Sequence, residues 1–191
     1  PGPNNRGSHV VGTAKAWVRR LDNSFFHDLT GGLPWLTTNL ERGSDGIVHF
    51  TNLQLYSPKL RLSGAGQRFR DGTFHIVASG RQAKYGPVRL TLDGHIERPK
   101  LDILLDRPND TLGITAMRLL LTPTAAGFDY RANGGSRLGP FTSNGRILLP
   151  QNGATIISIA ALDAGGAHAT GDLRSDPGGF TGRLALANGT L

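Results

Sequence analysis

The sequence has no cysteine, few aromatic residues and no long apolar run. The absence of cysteine excludes disulfides, zinc–thiolate sites and a cysteine nucleophile, and it is compatible with either a reducing or an oxidising compartment. No apolar stretch approaches the roughly 20 residues that a membrane-spanning helix needs, and the opening residues contain no signal-peptide core. We therefore expect no membrane anchor within this stretch of chain.

The histidines are isolated along the sequence, and no motif joins them to a nucleophile or to a metal. There is no Gly-x-Ser-x-Gly elbow and no His-Glu-x-x-His motif. The histidines are His9, His27, His49, His75, His95 and His168. His49 and His75 alternate with apolar neighbours, which indicates positions on the faces of strands. The sequence thus predicts no catalytic residue and no metal site.

Carboxylates are the remaining route to catalysis, because a glycosidase on a β scaffold needs only two acidic groups at the right separation. The nearest candidates are Asp102, Asp106 and Asp110. Their spacing matches neither an EF-hand nor the glycine-rich repeat of calcium-binding β-helices. Polar residues that alternate along the outer face of a sheet account for them. We therefore predict a protein that is not an enzyme and that has no cofactor.

Acidic residues are fewer than basic ones, and the net charge of +7 with a pI near 10.5 raises the question of an anionic partner. Nucleic-acid binding requires clustered Lys and Arg, with aromatic residues between them when the strand is single. Only Arg19 and Arg20 are adjacent here, and the other cations are scattered. We interpret them as a solvated, arginine-rich face and predict no nucleic-acid partner. The alternative is an anionic partner, of which a lipid headgroup is favoured over a nucleic acid.

The sequence does contain a strict alternation of apolar and polar residues. In residues 85–108, Val88, Leu90 and Leu92 alternate with polar residues, the chain turns through Gly94, and the alternation then resumes. Such period-two patterning predicts strands that each have one apolar face. Because 27 glycines and 11 prolines recur at short intervals, every predicted strand is short.

The same pattern recurs regularly after Pro34. Short, regularly spaced strands with turn residues between them are typical of a sandwich, a barrel or a solenoid. A loosely repeated phrase, as in "LRLSG", "FHIVASG" and "LTLDG", favours a mainly β fold with one elongated, curved antiparallel sheet, solenoid-like rather than closed. The predicted strands cover residues 35–42, 46–56, 58–64, 72–80, 86–94, 99–106, 113–122, 127–133, 141–149, 154–161, 166–174 and 179–187.

Helical spacing occurs once, between Thr13 and Leu29, before glycine and proline end it. The pattern predicts one short helix near residues 22–30. Residues 10–20 also alternate, so they are compatible with either a helix or a strand. We expect the helix to cap the end of the sheet, and an amphipathic helix on a membrane surface is the alternative.

A sheet with one apolar face must cover that face, and one short helix cannot cover twelve strands. Either the sheet folds over on itself, or the face stays open as an apolar groove for a ligand. A curved sheet would align the in-phase apolar residues of successive strands as one stripe. The predicted groove residues are Val88, Leu90, Leu92, Leu101, Ile103, Leu105, Leu119, Leu121, Phe128, Tyr130, Ile147, Leu149, Ile157 and Ile159.

Several phrases of the sequence together resemble the TamB family of Gram-negative bacteria. The resemblance covers nearly the whole chain from about Arg19 onward. It depends on "RLDNSFFHDLTGGLP" at 20–34, the long stretch "DGIVHFTNLQLYSPKLRLSGAGQRFRDGTFHIVASG" at 45–80, "YGPVRLTLDGHIERP" at 85–99 and "GPFTSNGRI" at 139–147. Each phrase alone is an ordinary succession of strand and turn residues, and only the combination of phrases is specific to the family.

The resemblance implies a periplasmic protein of the AsmA-like, bridge-type lipid-transfer class, with a β-taco fold around an apolar groove. It implies an anchor in the inner membrane, a TamA-like barrel partner in the outer membrane, and roles in moving phospholipid and in assembling outer-membrane and secreted proteins. On this interpretation, residues 1–9 are a disordered lead-in or a cloning remnant. Residues 10–191 are one segment of an extended groove domain, truncated at both ends, and the residues that meet the anchor and the barrel partner lie outside it.

Two other functions are compatible with the pattern. An extracellular β-solenoid that acts as an adhesin or a carbohydrate-binding surface would have a filled, closed core and exposed aromatic rows. A polysaccharide-degrading enzyme would need carboxylates that converge on one outer face. The leading prediction is a non-enzymatic lipid conduit whose partner is the acyl chains of phospholipids, and an open apolar trough would favour it.

Overall fold

A computed structural model describes residues 10–19, 27, 29–109, 113–150, 153–176 and 179–187. Nearly all of these residues belong to one β-sheet. The strands are β1 Val10–Trp17, β2 Trp35–Arg42, β3 Val48–Tyr56, β4 Leu60–Arg68, β5 Phe74–Gln82, β6 Gly86–Gly94, β7 Lys100–Leu105, β8 Thr115–Thr124, β9 Gly127–Ser136, β10 Gly139–Leu148, β11 Ile156–Ala164, β12 Ala167–Asp176 and β13 Gly179–Ala187.

The thirteen strands form a meander in which each strand pairs antiparallel with the next in the sequence. The order runs from β1 to β13 without a crossover, and the two end strands do not meet, so the sheet is open. At about 4.8 Å per strand, the twelve spacings give roughly 58 Å along the sheet. The prediction of a mainly β, elongated and open antiparallel sheet is confirmed. Among the described residues, no helix is long and apolar enough to span a bilayer.

Every strand predicted from the sequence overlaps an observed strand, because glycine and polar turn residues end the apolar alternation where the chain reverses. The turn between β4 and β5 is typical. The backbone N–H of Phe69 donates to the carbonyl of Thr73, and Gly72 has a left-handed φ of 86°. Only glycine adopts such a φ without strain, so its position determines where the hairpin closes.

The ambiguous residues 10–20 contain a strand. β1 pairs along its whole length with β2, from Val10 opposite Arg42 to Trp17 opposite Trp35. The helical interpretation of this stretch is therefore wrong, and the strand alternative is right. Tertiary pairing with β2 overrides a spacing that is also compatible with a helix.

The predicted helix near residues 22–30 falls mostly outside the described residues. Of its residues, His27, Leu29 and Thr30 are described and have helical conformation. This segment contacts the end of the sheet: Gln82, which is 2% exposed, donates its side-chain amide to the carbonyl of Leu29 at 3.1 Å. The backbone N–H of Lys59 donates to the carbonyl of Thr30 at 2.9 Å. These contacts agree with the expected end cap.

Three bulges change the phase of the alternation, on β3, β8 and β11; the one on β8 lies at Ala116, which has a left-handed φ of 48°. On β3, Asn52 has a left-handed φ of 51°, and the buried hydroxyl of Thr38 donates to the carbonyl of Thr51 at 3.0 Å. On β11, Ala160 is the extra residue, since Ile159 and Ala161 lie opposite consecutive residues of β10. A bulge inserts one residue, so the inward-facing positions switch from even to odd numbers along β3 and from odd to even numbers along β11.

Candidate functional site

The predicted groove residues lie on one face of the sheet. Directly opposed residues of an antiparallel pair share a face, and successive residues alternate between faces. Leu90 lies opposite Ile103, and Ile103 lies opposite Leu119. We call this the inner face. It carries Val88, Leu90, Leu92, Leu101, Ile103, Leu105, Leu119, Leu121, Phe128, Tyr130, Ile147, Ile157 and Ile159.

Leu149 is the one predicted groove residue that is not in a strand. It directly follows β10, and its backbone N–H donates to the carbonyl of Ala126 at 3.0 Å. It therefore extends the backbone pairing of β10 by one residue. Its half-buried side chain lies just beyond the end of the strand, two residues after the inner-face residue Ile147.

The inner face continues on both sides of the predicted stripe. One row runs from Leu92 through Leu101 and Leu121 to Tyr130. Towards β1, the same row continues through Ile76 to Phe50. The apolar stripe therefore crosses most of the sheet, and β3 and β5 contribute to it beyond the predicted strands.

The inner face is far more buried than the outer face. Every buried apolar residue of the described strands lies on it: Leu62, Ala78, Val88, Leu121, Tyr130, Ala132, Phe141, Ile159 and Ala169. A flat single layer would leave both faces similarly accessible. Side chains of neighbouring strands must therefore converge on the inner face, which makes it the concave side of a curved sheet.

Among the described residues, only the segment of Leu29 and Thr30 covers part of this concave side, at one end of β4 and β5 where Gln82 is buried. Extensive backbone contacts join only strands that are neighbours in the sequence, and each apolar cluster contains side chains in or directly beside successive strands only, as a single layer does. The remaining predicted groove residues in the strands stay half-buried, with Ile103 among them. Ile103 packs against both apolar clusters of the sheet, one around Val88 and one around Tyr130. The face is thus a continuous apolar trough that is open to solvent.

Glycines allow neighbouring strands to approach closely on the concave side. A Cβ placed on Gly145 would overlap the carbonyl oxygen of Ser158 and would lie 3.0 Å from the ring of Tyr130. A Cβ on Gly80 would overlap the carbonyl oxygen of Arg61 in the same way. These inner-face positions therefore require glycine for the local curvature of the sheet.

The centre of the inner face carries polar atoms that satisfy one another. The hydroxyls of Tyr130 and Ser143 form a hydrogen bond of 3.0 Å. Burial raises the pKa of Tyr130 above its ordinary value, and the hydrogen bond to Ser143 opposes this only in part. The phenol therefore stays neutral at physiological pH, and it adds no charge to the trough.

Among the described strands, charged side chains occur on the inner face only at one end of β2 and β4, which we call the cationic rim. Arg42 ends β2, Arg68 ends β4, and both lie in the row of Val48 on the strand between them. The guanidinium of Arg68 lies 5.9 Å from the centroid of the Phe74 ring. Neither arginine forms an ion pair with another described residue. Two cations thus border the apolar trough at this end of the strands.

Polar side chains on the outer face of the central strands form ion pairs with one another. Arg118 donates two hydrogen bonds to the carboxylate of Asp102, at 3.0 and 2.6 Å. These hydrogen bonds lower the pKa of Asp102 and more than offset the opposing effect of its partial burial. The Nε of Arg146 lies 3.4 Å from the carboxylate of Asp129, which gives a second ion pair. The interpretation of these residues as outer-face polar alternation is confirmed for Asp102.

The carboxylates and histidines do not form a reactive site among the described residues. Asp106 is exposed and lies 3.8 Å from Arg107, and Asp110 falls outside the described residues. His75 lies 2.6 Å from Asp93 on the outer face, which matches the predicted strand-face position. No group of three metal-binding side chains occurs in the part of the chain that the structure describes.

Sequence reasoning missed part of the inner face. Phe141, Ala132 and Leu162 belong to the cluster around Tyr130. Leu162 is out of phase with Ile159 because of the bulge at Ala160, and only the structure shows that phase change. Phe141 and Ala132 follow the regular alternation, so a stripe extended along β9 and β10 would have included them.

Comparison of the chain with protein-family models, with curated proteins and with solved structures found no match. The geometry of the chain itself is therefore the basis for any functional assignment.

Proposed function

We propose that the chain is a non-enzymatic segment of a lipid conduit, in which the acyl chains of phospholipids lie along the inner face. The observation that carries the proposal is the continuous, uncovered apolar trough of β2–β11. Soluble proteins rarely leave a large contiguous apolar patch exposed unless the patch binds something. An acyl chain is apolar, long and thin, so it fits a trough that continues from strand to strand.

The strength of such binding suits transfer better than storage. Burying one methylene contributes about 0.8 kcal/mol, so eight methylenes would contribute roughly 6 kcal/mol before the entropic cost of binding. The inner face between Leu92 and Tyr130 offers no charged group that would hold a ligand in one place. A lipid can therefore enter, slide and leave without breaking a strong polar contact.

The cationic rim favours a phospholipid over an uncharged apolar ligand. Arg42 and Arg68 flank Val48 on the inner face and form no ion pair with a described residue. Guanidinium groups bind phosphate through charge-assisted hydrogen bonds. In the proposed arrangement, the headgroup phosphate lies at this rim while the acyl chains extend along the trough.

The resemblance to the TamB family supplies the cellular setting of the proposal. In that setting the segment belongs to an inner-membrane-anchored protein of the periplasm. It carries phospholipid between the two membranes and supports the assembly of outer-membrane proteins. A TamA-like barrel would be contacted by regions outside this chain.

An adhesin or a carbohydrate-binding solenoid is less well supported. It requires a filled, closed core, whereas the described strands form an open single layer. It also requires aromatic ring faces that are free to stack on sugars. The outer-face tryptophan Trp35 stacks instead on Tyr56, at 4.5 Å between ring centroids.

Site-specific photo-crosslinking tests the proposal. A photoreactive phenylalanine analogue is placed at Ile103 on the inner face or at the adjacent Leu104, which is 40% exposed on the outer face. The purified chain is irradiated with phosphatidylglycerol vesicles, and lipid adducts are measured by mass spectrometry. We expect adducts from position 103 and few from position 104, because the two side chains lie on opposite faces of one strand.

A second pair of variants tests the trough itself. Ile103→Asp should abolish the adduct formed from a probe at Leu92, whereas Leu104→Asp should leave it unchanged. Circular dichroism controls for folding. Equal crosslinking from both faces, or no adduct from any inner-face position in a folded protein, would show that the inner face does not bind lipid.

A further inference from the structure

Three aromatic residues that are far apart in the sequence meet on the outer face at one end of the sheet. The register places Trp17 of β1 opposite Trp35 of β2, and Trp35 opposite Tyr56 of β3. Trp17 is 60% exposed, whereas Trp35 and Tyr56 are half-buried. These strand ends therefore present a row of amphipathic rings on the side opposite to the trough.

Basic residues surround this aromatic row. The ammonium of Lys15 lies 5.0 Å from the ring centroid of Trp17 and 4.8 Å from that of Trp35. Tyr56 lies opposite Arg61 of β4, and Arg61 lies opposite Arg81 of β5. We call these six residues the basic aromatic patch: Lys15, Trp17, Trp35, Tyr56, Arg61 and Arg81.

No described carboxylate forms an ion pair with the arginines of the patch. Arg61 and Arg81 are exposed and form no ion pair with a described residue. Like charges directly opposite each other destabilise a sheet, so this arrangement does not serve the stability of the fold. It suits an anion that is bound from solution.

Among the described residues, the outer-face carboxylates of β1–β6 are distant from the patch. On β1–β6 they are Glu41 and Asp93, which lie at the opposite ends of their strands. Glu41 is six residues from Trp35 along β2, or about 20 Å at 3.3 Å per residue. That distance exceeds the Debye length of about 8 Å at physiological salt. Asp106, near the end of β6, is paired with Arg107.

The contacts that the rings of the patch already make distinguish between possible anionic partners. Trp35 stacks on Tyr56 with an interplanar angle of 23°, while Lys15 approaches Trp35 from the opposite neighbouring strand. The faces of the central ring are thus occupied within the protein. Nucleobases and sugars bind aromatic side chains through those faces. A membrane interface has no such requirement, because it accepts tryptophan and tyrosine as amphipathic rings beside basic side chains.

We infer that the basic aromatic patch docks on the surface of a bilayer that contains anionic lipid. Lys15, Arg61 and Arg81 contact headgroup phosphates, and the exposed indole of Trp17 enters the interface. The patch lies on the face opposite to the trough, so this docking is independent of the proposed acyl-chain binding. It would hold one end of the strands against a membrane while the trough stays free.

The sequence provides a direct probe of this inference. It contains two tryptophans, Trp17 and Trp35, and both belong to the patch. The unmodified chain is titrated with vesicles of phosphatidylglycerol mixed with phosphatidylcholine, and separately with vesicles of phosphatidylcholine alone. We expect a blue shift of the tryptophan emission with the anionic vesicles only, quenching by brominated acyl chains, and loss of the signal at high salt.

Matched variants locate the contact. The double variant Arg61→Gln/Arg81→Gln should bind anionic vesicles roughly thirtyfold more weakly, which is about 2 kcal/mol. The control Arg131→Gln/Arg174→Gln removes the same charge from outer-face positions of β9 and β12 and should change the affinity little. Ile103→Asp, which alters the trough, should leave vesicle binding unchanged.

Three outcomes would overturn the inference. The first is the absence of a blue shift with anionic vesicles. The second is an equal loss of binding in the two double arginine variants, which would indicate that net charge alone attracts the chain. The third is a stronger response to a sulfated polysaccharide or an oligonucleotide than to vesicles, which would identify a soluble polyanion as the ligand. None of these outcomes alters crosslinking from Ile103, so failure here is distinguishable from failure of the lipid conduit.

Discussion

The two faces of the central strands are built from alternate residues of the same chain, and they are stabilised in different ways. On β7, Ile103 packs against both apolar clusters of the inner face, whereas its neighbour Leu104 is 40% exposed on the outer face. Outer-face contacts such as half-buried Asp102 with exposed Arg118 are ion pairs at the protein surface, and such pairs contribute little stability. The comparison teaches that the stability of this sheet and its proposed ligand site depend on the same inner face.

The largest difference in stability between two matched variants should come from a glycine at the centre of the concave face. Gly145→Val should destabilise the protein by about 3 kcal/mol, because its Cβ would overlap the carbonyl oxygen of Ser158. Gly12 lies on the same face of the edge strand β1, and no atom lies within 4 Å of a Cβ placed there. Gly12→Val is therefore the matched control and should be nearly neutral in urea denaturation. Equal destabilisation by both variants would contradict the close strand approach at Gly145.

Truncation of adjacent residues compares the two faces directly. Ile103→Ala should lower the free energy of unfolding by about 2 kcal/mol, near the lower limit for a buried isoleucine because the side chain is half-buried. Leu104→Ala should cost less than about 0.5 kcal/mol, as exposed substitutions do. Chemical denaturation of both variants measures the difference. A larger loss of unfolding free energy from Leu104→Ala would mean that the apolar core lies on the outer face.

A hydrogen bond at the centre of the inner face should have a smaller effect. Tyr130→Phe and Ser143→Ala each remove one partner of the 3.0 Å contact and should each cost about 1 kcal/mol. Because they disrupt the same bond, the double variant should cost less than the sum of the two. Additive losses in this double-mutant cycle would show that the two hydroxyls do not interact.

The smallest effect should come from the outer-face ion pair, and it should depend on pH. Hydrogen bonds from Arg118 lower the pKa of Asp102 in the folded protein. A carboxylate with a lowered pKa stabilises the fold above its unfolded pKa of about 3.9, and this contribution is lost as the pH falls through the folded pKa. Asp102→Asn should therefore be slightly less stable than the wild type at neutral pH, and the difference should vanish in acid. If the difference in stability between Asp102→Asn and the wild type grows as the pH falls, the lowered pKa of Asp102 in the folded protein is contradicted.

Most of the fold could be predicted from local patterns. Alternation identifies the strands, and glycine and proline mark the turns; the predicted strand 86–94 matches β6 at both ends. Residues 10–20 were ambiguous, because a short stretch can satisfy both periods. Pairing with β2, a contact that no local pattern contains, decides in favour of the strand.

The candidate site was predictable where the phase of the alternation is unbroken. Val88 to Tyr130 follow one phase within each strand, so their common face could be predicted. Leu162 could not be placed, because the bulge at Ala160 shifts the phase. The basic aromatic patch could not be predicted either, since only the register of five strands places Trp17, Trp35 and Arg81 in one row.

The strict meander has a consequence for how such a protein can change in length. Each strand pairs only with its sequence neighbours, so a hairpin of two strands is a unit that lengthens the trough without any partner elsewhere in the chain. Inserting or deleting one hairpin would shift the length by about 9.6 Å, at 4.8 Å per strand, and would leave the facing of every other strand unchanged. The length of such a sheet can therefore change in steps of one hairpin, by duplication or loss of a short coding segment, until it matches the distance that the protein has to span.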